Sequence, residues 1–210
     1  MNSANFKKLI LLLSFFSNAS MAKEWSFDVY ADGKKIGEHS FSLTESGPYN
    51  HLISKADYKI TLFNIPIYRY HHVSDELWNK DCLISITSST QDGREDYKVR
   101  GETTNNVFEL REPAQESFKQ ECPMTFSYWN PEMLNQTKLL NVQTGKYIEV
   151  EIKNLGKESI QVKNESIEAD KFSVTGRKIN LTLWYKDNKE WLRLQAVTPD
   201  NHHISYELKQ

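Results

Sequence analysis

Two cysteines and six histidines are the side chains of this chain with the readiest chemistry. Cys82 and Cys122 could close a disulfide, hold a metal as a thiolate pair, or leave Cys122 as a free nucleophile. His39, His51, His71, His72, His202 and His203 could ligate a metal or move protons. A zinc site needs three or four converging donors, and no recognisable ligand spacing connects these histidines. Each adjacent pair, His71-His72 and His202-His203, sends its rings to opposite faces of a regular strand. No metal and no cofactor is therefore expected. The chain has neither a G-x-S-x-G elbow nor a phosphate-binding glycine loop. Catalysis would have to come from Cys122, or from a histidine meeting a carboxylate in space. Asp28, Glu38, Asp57, Glu76 and Glu151 are expected on the solvated surface, with Asp75 and Glu76 the carboxylates nearest His72.

The aromatic residues suggest a second kind of chemistry, binding. Period-two geometry puts Tyr68 and Tyr70 on one strand face with His72, and Ile67 and Val73 on the other. Phe126, Tyr128 and Trp129 crowd the stretch ECPMTFSYWNPEMLN, Glu121 to Asn135. Large rings of this kind pack cores. They also line pockets whose apolar walls carry a few polar tips. Tyr68, Tyr70, His72, Phe126, Tyr128 and Trp129 are therefore the candidate ligand-binding residues, and plain core packing is the competing account.

The N-terminus bears on which cysteine chemistry applies. Lys7 and Lys8 precede the apolar run Leu9–Phe16, and Ser20-Met21-Ala22 is a small-x-small cleavage site. Residues 1–22 are thus predicted to be a signal peptide, cleaved after Ala22, and the product is expected in the periplasm. The apolar run is too short to span a bilayer, and no second long apolar run follows, so no membrane span is expected in the mature chain. In an oxidising compartment an isolated cysteine pair most often forms a disulfide, so Cys82–Cys122 is the expected pairing. Cleavage removes Lys7 and Lys8 from 26 basic side chains, leaving 24 against 28 acidic ones, a formal charge of −4. The charges are dispersed, which argues against nucleic acid and anionic membrane surfaces as partners.

The elements that must position these groups are strands. Alternation runs through Trp25-Phe27-Val29, Phe41-Leu43, Leu52 to Leu62, Tyr147 to Ile152, and Ile179 to Leu183, with turn dipeptides such as Asp32-Gly33 and Asp92-Gly93 between runs. In Cys82–Thr87 the same pattern sets Cys82, Ile84 and Ile86 against Leu83, Ser85 and Thr87. Pro66 must fall at a strand start, edge or bulge. Ten to twelve strands are expected over one domain, residues 23–210. The fold class is all-β: a strongly curved antiparallel sheet forming a β-roll or lipocalin-like barrel. Residues 112–140 do not alternate; Pro113, Pro123 and Pro131 divide them into an irregular or short-helical insertion expected to cover one mouth or the open side of the sheet.

The runs WSFDVYADGKKIGEHSF, YRYHHVSDELWNKDC, ECPMTFSYWNPEML and LLNVQTGKYIEVEI, with the closing INLTLWYKDNKEWLRLQAVTPDNHHISYEL, resemble an uncharacterised bacterial family, domain-of-unknown-function family 6134. The C-P-M-T-F-x-Y-W-N-P run is the most specific part. The resemblance implies an exported all-β protein, similar to spiral β-rolls and barrels, and brings no activity or catalytic residues. The leading expectation is a binder of a hydrophobic small molecule or lipid. The alternative is a non-catalytic structural or accessory module for another cell-envelope protein, and the third is a Cys- or His-dependent enzyme.

Overall fold

A computed structural model describes residues 21–62, 65–112, 119–187 and 189–209. Among the described residues, fourteen strands form a single antiparallel sheet, in the order β8-β7-β6-β5-β4-β3-β2-β1-β14-β13-β12-β11-β10-β9. Their ranges are β1 Met21–Ala31, β2 Lys34–Ser46, β3 Tyr49–Leu62, β4 Ile65–Asn79, β5 Cys82–Asp92, β6 Glu95–Thr104, β7 Val107–Glu112 and β8 Lys119–Gln120. After one 3-10 turn, Pro131–Asn135, come β9 Lys138–Leu140, β10 Tyr147–Val162, β11 Glu165–Gly176, β12 Ile179–Lys186, β13 Glu190–Val197 and β14 His203–Leu208. Almost every neighbour in the sheet is also a neighbour in sequence. The exception is β1 with β14, which joins the two halves. The end strands β8 and β9 do not pair, so the sheet curves without closing.

The turns carry their chemistry locally. Asp32 and Gly33 both have positive φ, 48° and 79°, the backbone that a two-residue hairpin needs. The predicted signal segment lies outside the described residues except for Met21 and Ala22, which open β1 opposite Glu45 and Thr44. Pro66 sits opposite Thr61 beside a register shift between Ile60 and Thr61. The alternation expected across Cys82–Thr87 is broken: Ile84 is an extra residue of β5, bulged opposite the Leu77–Trp78 step of β4, so that both Leu83 and Ile86 turn inward. The strand count exceeds the expected ten to twelve because the insertion itself holds the short strands β8 and β9.

One face of the curved sheet is the core. Trp25, Phe27, Leu43, Leu52, Trp78, Ile86, Leu183 and Trp191 meet there. A smaller cluster, Ile160, Ala169, Trp184 and Leu192, lies on the opposite face of β12 and β13. It exists because β10 bulges between Asn154 and Lys157, where Gly156 takes φ 87°. The one extra residue on β10 re-aims the rest of the β10–β11 hairpin.

Candidate functional site

The insertion acts as a strap across the open side of the sheet. Cys122 is disulfide-bonded to Cys82 at the start of β5, which removes the free-thiol nucleophile. The Leu83 N–H donates to the Pro123 carbonyl, and the Leu140 N–H, on β9, donates to the Met124 carbonyl. Thr125 bridges Leu140 in parallel sense. Three consecutive residues thus tie the N-terminal half of the sheet to β9. The remainder is held the same way: Asn130 Nδ2 donates to Asp81 Oδ1 at 3.1 Å, and the Tyr185 hydroxyl on β12 donates to the Tyr128 carbonyl at 2.9 Å. Asn130 also caps the 3-10 turn by accepting from the Glu132 N–H. That turn is the insertion's one helical element among the described residues.

Beneath the strap lies a cavity of about 230 Å³. Its walls are apolar: Phe126, Tyr128 and Trp129 from the strap, Phe41 and Leu52 from β2 and β3, Ile179 and Leu181 from β12. Its floor is polar, made by His39 on β2, Ser54 on β3, and His72, Ser74 and Glu76 on β4, with Tyr206 of β14 at the side. The alternation of three adjacent strands builds this floor. Phe41, Ser54 and Ser74 are paired across β2, β3 and β4, and His39, Ala56 and His72 form the next inward row. Asn141, Val142 and Gln143, in the loop after β9, finish the rim. Ser88 of β5 donates to the Val142 carbonyl there, a second tie between the halves.

The floor is hydrogen-bonded internally. The hydroxyls of Tyr58 and Tyr206 are 2.6 Å apart, and His39 Nδ1 lies 3.1 Å from the first and 3.3 Å from the second. His39 Nε2 is 2.7 Å from Ser54 Oγ. With the imidazole proton on Nε2, His39 donates to Ser54 and its Nδ1 accepts from a tyrosine hydroxyl; with the proton on Nδ1, it donates to a tyrosine and accepts from Ser54 at Nε2. Burial, with a smaller effect from His72, pulls the His39 pKa down to about 3. His72 Nδ1 is 2.8 Å from Thr90 Oγ1, and burial, then the nearby His71, lowers its pKa to about 4. Both rings are neutral at ordinary pH.

Among the described residues, Glu76 is the single acidic or basic side chain, histidines apart, that lines the cavity. It is buried, contrary to the expectation of a solvated carboxylate, because the inward register of β4 carries it under the strap. It accepts from Ser74 Oγ at 3.1 Å and from Thr125 Oγ1 at 3.4 Å. Burial pushes its pKa up to about 7 against these hydrogen bonds, with Asp75 adding to the rise.

Of the six candidate residues, His72, Phe126, Tyr128 and Trp129 line the cavity. Tyr70 is buried one inward position away, stacked on Tyr58 with centroids 4.9 Å apart. Tyr68 is displaced further, its hydroxyl donating to Asp92 at 2.6 Å near the β5–β6 turn. His39, Ser54, Ser74, Glu76 and Tyr206 belong to the site without having been singled out for it. For the β2–β4 members the available signal is their shared parity with Phe41, Leu52 and Trp78. His71 and His202 are exposed and His51 is half-buried, and each faces a carboxylate, of Asp57, Asp32 and Asp75 respectively. Among the described residues no three His, Cys, Asp or Glu side chains converge as a metal site would require.

The architecture is that of an open, β-barrel-like roll with a strapped interior. The family model of the domain of unknown function DUF6134 matches residues 27–209, and the chain belongs to that family. A solved structure similar to it is the β-barrel-like protein of the domain of unknown function DUF1849 from Brucella abortus. That likeness has a TM-score of 0.65 at 7% identity and covers 89% of this chain and 95% of that one. It is a likeness of fold. No curated protein matches the chain.

Proposed function

We propose that this is an exported, periplasmic protein that binds a small, partly apolar molecule in the cavity under the strap. The observation that carries this reading is the pairing of aromatic walls with a buried polar floor in one cavity of about 230 Å³. Such a division of walls and polar groups is what small-molecule sites have in common. The size matters as well. Pockets for drug-sized ligands run from roughly 300 to 1,000 Å³, so this one encloses a small molecule or one end of a longer lipid, not a whole acyl chain. Export is supported by the N-terminal sequence pattern, and a disulfide that ties down the strap suits an oxidising compartment.

Native mass spectrometry of the protein purified from its own envelope tests this directly. A retained mass of some hundred to several hundred daltons, released on denaturation, is the expected result (on the order of what a pocket of this size class holds). Bare protein, together with no saturable binding of any small amphiphile, would sink the reading.

A second reading, an accessory module for another envelope protein, has its own supporting observation. Register with β2 ends at Tyr58 and with β5 at Tyr70. Past those points β3 and β4 continue as a two-stranded arm. Its ties to the β5–β6 turn are the Gly93 N–H donating to the Arg69 carbonyl and the Tyr68 hydroxyl donating to Asp92. Ile65 and Ile67 on that arm are 65% and 63% exposed. Replacing both with serine should leave stability and cavity binding unchanged; under this reading it abolishes complementation of a deletion strain.

A further inference from the structure

We infer that the cavity selects organic ammonium ions over acids and neutral molecules of the same size, with Glu76 as the counter-charge and the surrounding rings as the cage. This rests on the reading that the cavity binds a small molecule. It then fixes the chemical class of the polar end.

The charge census of the lining leads to this class. Among the described residues Glu76 is there, and no lysine or arginine is. A carboxylate or phosphate ligand would be buried beside a carboxyl group with no cation to meet it, which is strongly unfavourable in a desolvated site. A positive ligand reverses that cost. Glu76 supplies the opposite charge, held in place by Ser74 and Thr125, each of which leaves the carboxyl further lone pairs to accept from a ligand. Phe41, Phe126, Tyr128, Trp129 and Tyr206 line the same space, and aromatic faces attract a desolvated ammonium group through their quadrupole. The histidines do not compete for the carboxylate, because both are held neutral by burial.

The same geometry makes binding depend on pH. The titratable groups around Glu76 are His72 and Asp75 on β4, His39 on β2, Tyr128 on the strap and Tyr206 on β14. Both histidines titrate far below neutrality, and burial holds both tyrosines far above it. Asp75 sits on the outward parity of β4 with His51. Between pH 6 and 8 Glu76 is thus the cavity group whose charge changes, about pH 7. An ammonium ligand needs its ionised form.

The test uses hexylamine, hexanol and hexanoate, equal in chain length and different in head group, titrated calorimetrically into the full mature protein at pH 8. Hexylammonium should bind at least about tenfold more tightly than hexanol, with hexanoate unbound. From pH 8 to pH 6 its affinity should fall about tenfold, following the ionised fraction of a carboxyl that titrates near 7; hexanol should not change. Glu76→Gln, which keeps an oxygen for Ser74 to donate to, should lose the preference and the pH dependence while retaining hexanol. The wild-type pH series decides the matter even if that variant does not fold. Hexanol or hexanoate binding as tightly as the amine would overturn the ammonium assignment and leave the cavity reading standing. Binding of none of the three would overturn both.

Discussion

The indole of Trp129 stands edge-on to the indole of Trp78, with ring centroids 5.7 Å apart and planes at 84°. Trp78 is fully buried on β4 and Trp129 belongs to the strap, so this contact seats the cover on the sheet it covers. Trp78→Ala should cost about 3–5 kcal/mol, the range for emptying a buried large ring. Trp129→Ala, at a half-buried position, should cost less. Urea unfolding of both single variants and the double one should show a coupling of about 1 kcal/mol. Additivity would mean that the two rings merely adjoin.

The disulfide should matter through the chain it constrains. Cys82 and Cys122 are 40 residues apart, and closing a loop of that length is worth about 4 kcal/mol in the chain-entropy model. Adding reductant, or making Cys82→Ser with Cys122→Ser, should lower the urea midpoint accordingly. An unchanged midpoint would show that the hydrogen bonds of Pro123 and Met124 hold the strap without it.

Stability should climb through mildly acidic pH and level off near neutrality, because the buried groups oppose one another. His39 and His72 have folded pKa values of about 3 and about 4, below the ordinary 6.5. Their contribution is complete above pH 6.5 and is lost as pH falls toward 4 and 3. Glu76 is raised to about 7 from 4.5. Its contribution is complete below pH 4.5 and is lost as pH rises through 7, about 3 kcal/mol in all. Between 4.5 and 6.5 two histidines outweigh one carboxyl, so the net slope is that of one proton. Glu76→Gln removes the opposing group and should steepen the climb about twofold. Chemical unfolding at half-unit pH steps measures both slopes; equal slopes would mean that Glu76 does not titrate in this range.

Gly37 is a point of very close approach between β2 and β3. A Cβ there would sit 2.0 Å from the Asp57 carbonyl oxygen and 2.8 Å from Tyr58 Cα. Backbone cannot yield as a side chain can, so Gly37→Ala should cost at least the roughly 1–3 kcal/mol typical of overpacking. It should also disturb the His39–Tyr58–Tyr206 hydrogen bonds next to it, visible as a shift in the His39 ring resonances. A variant with wild-type stability would show that the two strands can part there.

The sequence alone determined the antiparallel all-β class, most of the turns and the inward faces of β1 to β4, since period two and turn dipeptides act over a few residues. It also marked Glu112–Leu140 as the one irregular stretch, through its prolines and missing alternation. Tertiary structure decided the rest. Whether a curved sheet closes depends on how twist accumulates over fourteen strands, and no local pattern encodes that sum. The bulge that turns Leu83 and Ile86 to the same side is one residue of slippage, which breaks an alternation rule without breaking the strand. Glu76 shows the difference best. Its type predicts a solvated surface position and its parity predicts an inward one, and only the strap, arriving from 49 residues away at Thr125, makes that inward position a buried carboxyl at the floor of a cavity.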